Sequence, residues 1–220
     1  MMRIRTFSIL LLVLPFLPFV SSAASVDKEP DIPDGLAFIR TIDVQNYVQW
    51  TDDHGQGAQS LRIRARYLDP DVNAFVGLLT GLDHFNTDLY IGDPAAPAAN
   101  SFLWNWGGDF GIRRGKHLWE LDLMGAVLNS RLAPAIAIVG EHQLSKQWLF
   151  YHRTEIDAFT GGTIADADQG FYWMPSSWGG LEAGYRLFGV QHNPNRNGAH
   201  IGIRLLFDSP KIPILFPSLG

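Results

Sequence analysis

The chain is 220 residues long, 46% hydrophobic and 18% charged, with a formal net charge of -5 and no cysteine. The length fits one β-barrel domain or at most two small domains, and 12% aromatic content at so low a charge excludes a disordered chain. The acidic balance argues against binding a phosphate backbone, and a chain without cysteine has no disulfide, thiolate metal site or cysteine nucleophile.

Residues 1–24 have the layout of a secretory signal peptide. Arg3 and Arg5 precede an apolar run over 7–20, interrupted by Pro15 and Pro18, and the small residues Ser21, Ser22, Ala23 and Ala24 follow. The uninterrupted apolar core is shorter than the roughly 20 residues a membrane helix needs, so the segment reads as a cleaved address. Beyond it no stretch reads as a helical span. Residues 133–139 are the most apolar, and Glu141 and His142 close them. The exported chain is therefore expected either to be soluble or to cross a membrane as strands.

Residues 25–33 form a polar, proline-bearing linker, and 36–50 fits either a short amphipathic helix or a first strand. The segment 25–57 is thus set apart from a barrel expected over 58–207. From there a period of two takes over. In 59–68, Leu61, Ile63, Ala65 and Tyr67 share one face and Arg62, Arg64 and Arg66 the other. Asp69, Pro70 and Asp71 signal a turn before a strand at 72–80. Residues 101–113 set Phe102, Trp104, Trp106, Phe110 and Ile112 against Asn105, Gly107, Asp109 and Gly111. After a turn at Arg114 and Gly115, 117–129 sets Trp119, Leu121, Leu123 and Val127 against Glu120 and Asp122.

Segments 133–144, 147–159, 179–190 and 198–207 continue the pattern. Arg153, Glu155 and Asp157 oppose Trp148, Phe150 and Ile156, while Glu182 and Arg186 oppose Leu181, Ala183, Tyr185 and Leu187. In the last segment His200 and Arg204 oppose Ile201, Ile203, Leu205 and Phe207. The fold class is all-β: an antiparallel up-and-down barrel of about eight strands, or ten if 36–50 and 84–91 count. Long connections are expected at 81–100 and 160–177.

Alternation alone leaves the direction of the apolar face open, and three features point it outward, to lipid. Several segments are long enough to cross a tilted hydrocarbon layer, which takes about 9–11 residues. The polar face carries both signs on separate strands, as a lumen that must pair its buried charges requires. Trp104, Trp106, Trp119 and Trp148 fall on the apolar face, where interfacial aromatic girdles sit.

The signal peptide and the last strand, where Ala199, Ile201, Ile203 and Leu205 alternate toward Phe207, resemble the bacterial outer-membrane β-barrel class, whose last strand is an assembly signal. The resemblance implies the outer membrane of a Gram-negative bacterium, with membrane lipid and the barrel assembly machinery as partners. That class usually ends at the aromatic residue, whereas here an apolar, proline-rich tail occupies 208–220.

The charged set Arg62, Arg64, Arg66, Glu120, Asp122, Arg153, Glu155, Glu182, Arg186 and Arg204 reads as a salt-bridge network filling the lumen, or as an anion clamp built on its three alternating arginines. His192 and Asn193 resemble the catalytic region of outer-membrane phospholipases and lipid A deacylases. That likeness implies His192 as base, a polar partner such as Asn193 orienting it, and Ser177 or its neighbour Ser176 as nucleophile. The same stretch also composes a polar hairpin loop. The histidines are scattered without metal-ligand spacing, and no nucleotide fingerprint is present, so no metal and no cofactor is expected. The leading reading is a structural or surface-binding outer-membrane barrel. The others are a membrane-embedded lipid hydrolase and a secreted soluble barrel holding an apolar ligand.

Overall fold

The structure, a computed structural model, describes residues 40–51, 57–69, 73–86, 89, 91, 101–176, 178–191, 193 and 195–208. The expected signal peptide, the linker before Arg40 and the tail after Asp208 lie outside the described residues, as do Ser177 and His192. Ten strands follow in chain order: β1 (Arg40–Thr51), β2 (Gly57–Asp69), β3 (Ala74–Phe85), β4 (Ser101–Arg114), β5 (His117–Leu128), β6 (Arg131–Gln143), β7 (Trp148–Phe159), β8 (Gly162–Trp173), β9 (Gly179–Val190) and β10 (Gly198–Asp208). Consecutive strands pair antiparallel and β1 also pairs with β10, so the sheet closes into an up-and-down barrel. The strand count is the larger of the two that alternation allows, but the added strands are β1 and β8: 84–91 is no strand of its own, since His84 and Phe85 end β3.

Three boundaries differ from the sequence reading. Residues 40–51 are a strand, so the barrel begins at Arg40 rather than at 58. Strand β3 runs on to Phe85, which shortens the connection before β4 to 86–100. Most of the expected long connection at 160–177 is β8, joined to β7 by a turn at Thr160 and Gly161. Its first four outward positions, Thr163, Ala165, Ala167 and Gln169, are small or polar, so the greasy half of the alternation is missing until Phe171 and Trp173.

The strands of 11 to 14 residues exceed what a tilted bilayer crossing needs. The barrel has two unlike rims. Where β1 starts and β10 ends, the connections are short: 70–73, Gly115 with Lys116, 144–147 and 174–178. The opposite rim carries the long 86–100 connection, the 191–197 turn and tight hairpins such as Asn129-Ser130, both of whose residues have positive φ as a primed turn requires. Short turns at one rim and longer loops at the other is the asymmetry of membrane barrels.

The outer face is predominantly apolar. Ile201 and Ile203 are 51% and 46% exposed, and every tryptophan of the chain lies outside. Trp119, Trp148, Trp173 and Trp178 sit toward the short-turn rim, and Trp50, Trp104 and Trp106 toward the other. An apolar belt of this extent, with aromatic bands at both edges, is far beyond what a soluble monomer leaves in water. The interior is filled. At the long-loop rim Phe85, Phe159, Phe188, Ile164 and Val190 pack with Leu89 and Ile91, which the 86–100 connection folds inward. Asn129 Nδ2 and Arg131 Nη1 donate to the carbonyls of Leu89 (3.1 Å) and Ile91 (2.6 Å), which fixes these two residues at that rim. Leu149, Tyr151, Tyr172, Met174 and Leu206 fill the other end.

Close interior packing also explains Gly111 on β4. A Cβ at Gly111 would lie 2.1 Å from the Phe75 ring and 2.4 Å from the Trp119 carbonyl oxygen. Gly111→Ala is therefore expected to destabilise the barrel by about 1–3 kcal/mol through overpacking, read as a lower urea midpoint in detergent. An unchanged midpoint would mean that Phe75 can swing clear.

Candidate functional site

The barrel wraps its charges inside. Eleven carboxylates are buried there (Asp43, Asp83, Asp109, Glu120, Asp122, Glu141, Glu155, Asp157, Asp166, Asp168 and Glu182), against six arginines (Arg62, Arg64, Arg66, Arg153, Arg186 and Arg204) and His200. Acid is in excess among the described residues.

The arginines reach across the bore as well as along the wall. Arg186 on β9 holds Asp83 on β3 at 3.0 Å and Asp166 on β8 at 2.7 Å. Arg62 on β2 faces Asp166 and Asp168 on β8, each at 3.7 Å. Arg204 on β10 joins Asp43 on β1 (2.7 Å) to Glu141 on β6 (2.9 Å). Asp109 and Asp122 stand opposite each other in the β4–β5 register, an arrangement of like charges that costs stability on its own. Arg66 relieves it at Asp109 (2.7 Å) and also pairs with Glu120, while Arg64 lies 3.7 Å from Asp122. Arg153 pairs with Glu155 on its own strand, and Asn105 donates to that same carboxylate from β4. The three alternating arginines of β2 thus face protein carboxylates, which fill the role a free anion would take in a clamp.

A second group sits between β7, β8, β9 and β10. The Tyr151 hydroxyl is 2.8 Å from Glu182 Oε1, 3.2 Å from Asp168 Oδ1 and 3.1 Å from His200 Nε2. His200 Nε2 is 2.8 Å from Asp168 Oδ1, and its Nδ1 is 3.8 Å from Glu182 Oε1. Among the described residues, Asp168, Glu182 and His200 are those whose ligand atoms converge closely enough to hold a metal ion, within 4.8 Å of one another. Of these, sequence reasoning places Glu182 in the lumen network and His200 on its strand's polar face. It misses Asp168, because the residues of β8 read as a connection.

Of the expected hydrolase residues, Asn193 and Ser176 are described. Ser177 and His192 are outside the described residues, but their chain neighbours are placed. Ser176 and Trp178 precede β9, Gln191 and Asn193 follow it, and the 12-residue strand lies between. Asn193 donates from its backbone to Val190 O (2.9 Å) and from its side chain to Gln191 O (3.2 Å), closing the turn locally. On the outer face, strand register brings together histidines that are distant in sequence. His117 and His142 are paired across β5 and β6 with their Nδ1 atoms 2.7 Å apart, and the His152 ring lies 5.3 Å from that of His142.

Apolar groups outside and paired charges inside reverse the order of a water-soluble protein. The chain is a transmembrane β-barrel by architecture. The secreted soluble barrel with an apolar ligand in its bore would need the opposite arrangement, and the bore here is lined by charge.

No family model and no curated protein matches the sequence. Among solved structures, outer-membrane expressed OmpT of Vibrio cholerae is similar at 12% identity over 68% of this chain and 56% of that one, with a TM-score of 0.42. This chain therefore spans little more than half its length. The KdgM porin is similar at 8% identity, covering 76% of this chain and 99% of that one, TM-score 0.46. The translocator domain of the autotransporter NalP from Neisseria meningitidis is similar at 12% identity over 76% and 88% of the two chains, TM-score 0.40.

Proposed function

We propose that the protein is a closed, non-conducting outer-membrane barrel with a structural or surface-binding role. The observation that carries this reading is the set of arginine bridges spanning the bore, above all Arg186 between Asp83 and Asp166 and Arg204 between Asp43 and Glu141. Ten strands lie close to the eight-stranded size whose interior side chains fill, and far from the 16–18-stranded porins that leave an aqueous channel. The apolar plug of Leu89, Ile91, Phe85 and Phe188 closes the long-loop mouth as well. On this reading the contacts that hold the wall together also block solute diffusion through the bore, which leaves the rims and the outer face for contacts with other molecules.

The location is tested by fractionation: the protein should stay with outer membranes through carbonate washing and leave them only in detergent, with heat-modifiable gel mobility. The closed bore is tested in planar bilayers. The purified full chain should give no stepwise current at voltages and concentrations where a general porin gives steady channels. Reproducible conductance steps would overturn the reading.

A further inference from the structure

We propose that Asp168, Glu182 and His200, with the Tyr151 hydroxyl as fourth donor, form a buried site for one divalent transition-metal ion of the zinc type. The site shares Asp168 with Arg62 but lies apart from the bridges of Arg186 and Arg204, and it does not depend on which membrane holds the barrel.

Three observations carry it. The first is spacing. Four donors around a tetrahedral zinc lie about 3.3 Å apart, as follows from metal–ligand distances near 2.0–2.1 Å. With His200 Nε2 as the ligating nitrogen, its separations from Asp168 Oδ1 and the Tyr151 hydroxyl, and those of the hydroxyl from Asp168 Oδ1 and Glu182 Oε1, run from 2.8 to 3.2 Å. The second is a shortage of hydrogens. Tyr151 has one hydroxyl hydrogen and two carboxylate oxygens within reach, and the imidazole can supply one more to Asp168. Asp168 Oδ2, Glu182 Oε2 and His200 Nδ1 are buried and make no hydrogen bond. Arg62, at 3.7 Å from Asp168, is beyond hydrogen-bond distance.

The third observation is the space made for the group. Gly170 and Gly184 are register partners on β8 and β9. A Cβ at Gly184 would stand 2.6 Å from His200 Nε2 and 2.7 Å from the Tyr151 hydroxyl, and one at Gly170 would stand 2.9 Å from that hydroxyl. Both glycines thin the wall at the point where the phenol and the imidazole converge.

The donor set selects the ion class. Imidazole nitrogen with carboxylate and phenol oxygens suits zinc and similar ions, whereas magnesium and calcium favour all-oxygen shells. A dipositive ion would also match the two carboxylate charges, in a lumen where acid outnumbers arginine. Neutral imidazole, neutral phenol and two carboxylates around such an ion leave the group uncharged overall, which is what burial demands.

The test uses the full chain, with His117→Ala and His142→Ala as background so that outward imidazoles do not capture metal. The protein is unfolded with a chelator, refolded into detergent with excess Zn²⁺ or Co²⁺, and freed of unbound ion by gel filtration. One metal per folded barrel is expected, with visible four-coordinate absorption for Co²⁺. Glu182→Gln and His200→Gln, judged folded by heat-modifiable mobility, should weaken retention by more than the roughly 10–100-fold that outer-shell changes cost. Tyr151→Phe removes the fourth donor alone and should weaken it less. A background protein that folds without retaining stoichiometric metal overturns the proposal whatever the variants do. Folded Glu182→Gln and His200→Gln proteins that keep metal as tightly as the parent also overturn it. Neither result would bear on the closed bore, which conductance tests separately.

Discussion

Arg186→Met is expected to lower the stability of the barrel by about 3–5 kcal/mol, the range for breaking a buried ion pair by removing one partner. The side chain is fully buried, and its guanidinium makes two forked contacts. Nη1 and Nη2 donate to the two oxygens of Asp83 at 3.1 and 3.0 Å, and Nε and Nη2 donate to those of Asp166 at 2.8 and 2.7 Å. It also lies 4.9 Å from the centre of the Phe188 ring, so its flat face is packed as well as its donors. Methionine fills much of the volume but supplies no hydrogens, and two carboxylates lose their main partner in a medium that does not solvate them.

The two acids are not equally stranded. Asp166 keeps Arg62 at 3.7 Å and Arg153 at 3.8 Å, whereas Arg186 is the ion partner of Asp83 among the described residues. Most of the loss should therefore trace to Asp83, and adding Asp83→Asn to Arg186→Met should recover more than half of it. Urea unfolding in phospholipid vesicles, followed by tryptophan fluorescence, reads both changes. A single variant within about 1 kcal/mol of the parent would mean that water enters the bore, and the closed-barrel reading would fall with it.

Period two makes much of this fold legible in the sequence. Where a strand sets bulky apolar residues against charge, as at Leu61 to Tyr67 against Arg62 to Arg66, both the strand and its facing follow from the pleat. Strand β8 is hidden because lipid-facing positions need only be non-polar enough, and Ala165 and Ala167 satisfy that without looking hydrophobic beside two aspartates. The loss propagates to the site. Asp166 and Asp168 go with β8, so the partners of Arg62 and Arg186 cannot be named from alternation.

Arginine reach is also illegible. A side chain that crosses the bore from β10 to Glu141 on β6 obeys barrel closure and strand tilt, and neither is written in local alternation. Likewise Tyr151, Asp168, Glu182 and His200 come from four strands, and only the closed register brings them together. Gly170 and Gly184 are the available signal, since an inward glycine on each of two strands marks a close approach by something else.

Ile138→Arg tests the assignment on which the location rests. Ile138 lies midway along β6, outward and more than half exposed, beside Leu121 on β5 and Thr154 on β7. In a bilayer that position is near the hydrocarbon midplane, where arginine costs about 2–4 kcal/mol, while positions near an interface cost about 0–1 kcal/mol. Leu132 on the same strand is also outward, but close to the long-loop rim. Leu132→Arg should therefore cost much less than Ile138→Arg, because its guanidinium can reach the headgroups. In water neither exchange would matter beyond about 0.5 kcal/mol, since both side chains are surface groups away from any special contact. Reversible urea unfolding in vesicles separates the cases through the difference between the two variants rather than either value alone. A steep gradient from Leu132 to Ile138 locates acyl chains around the middle of the wall. Equal and negligible costs would put water there instead, and the charges of the bore would then need a different reason to be inside.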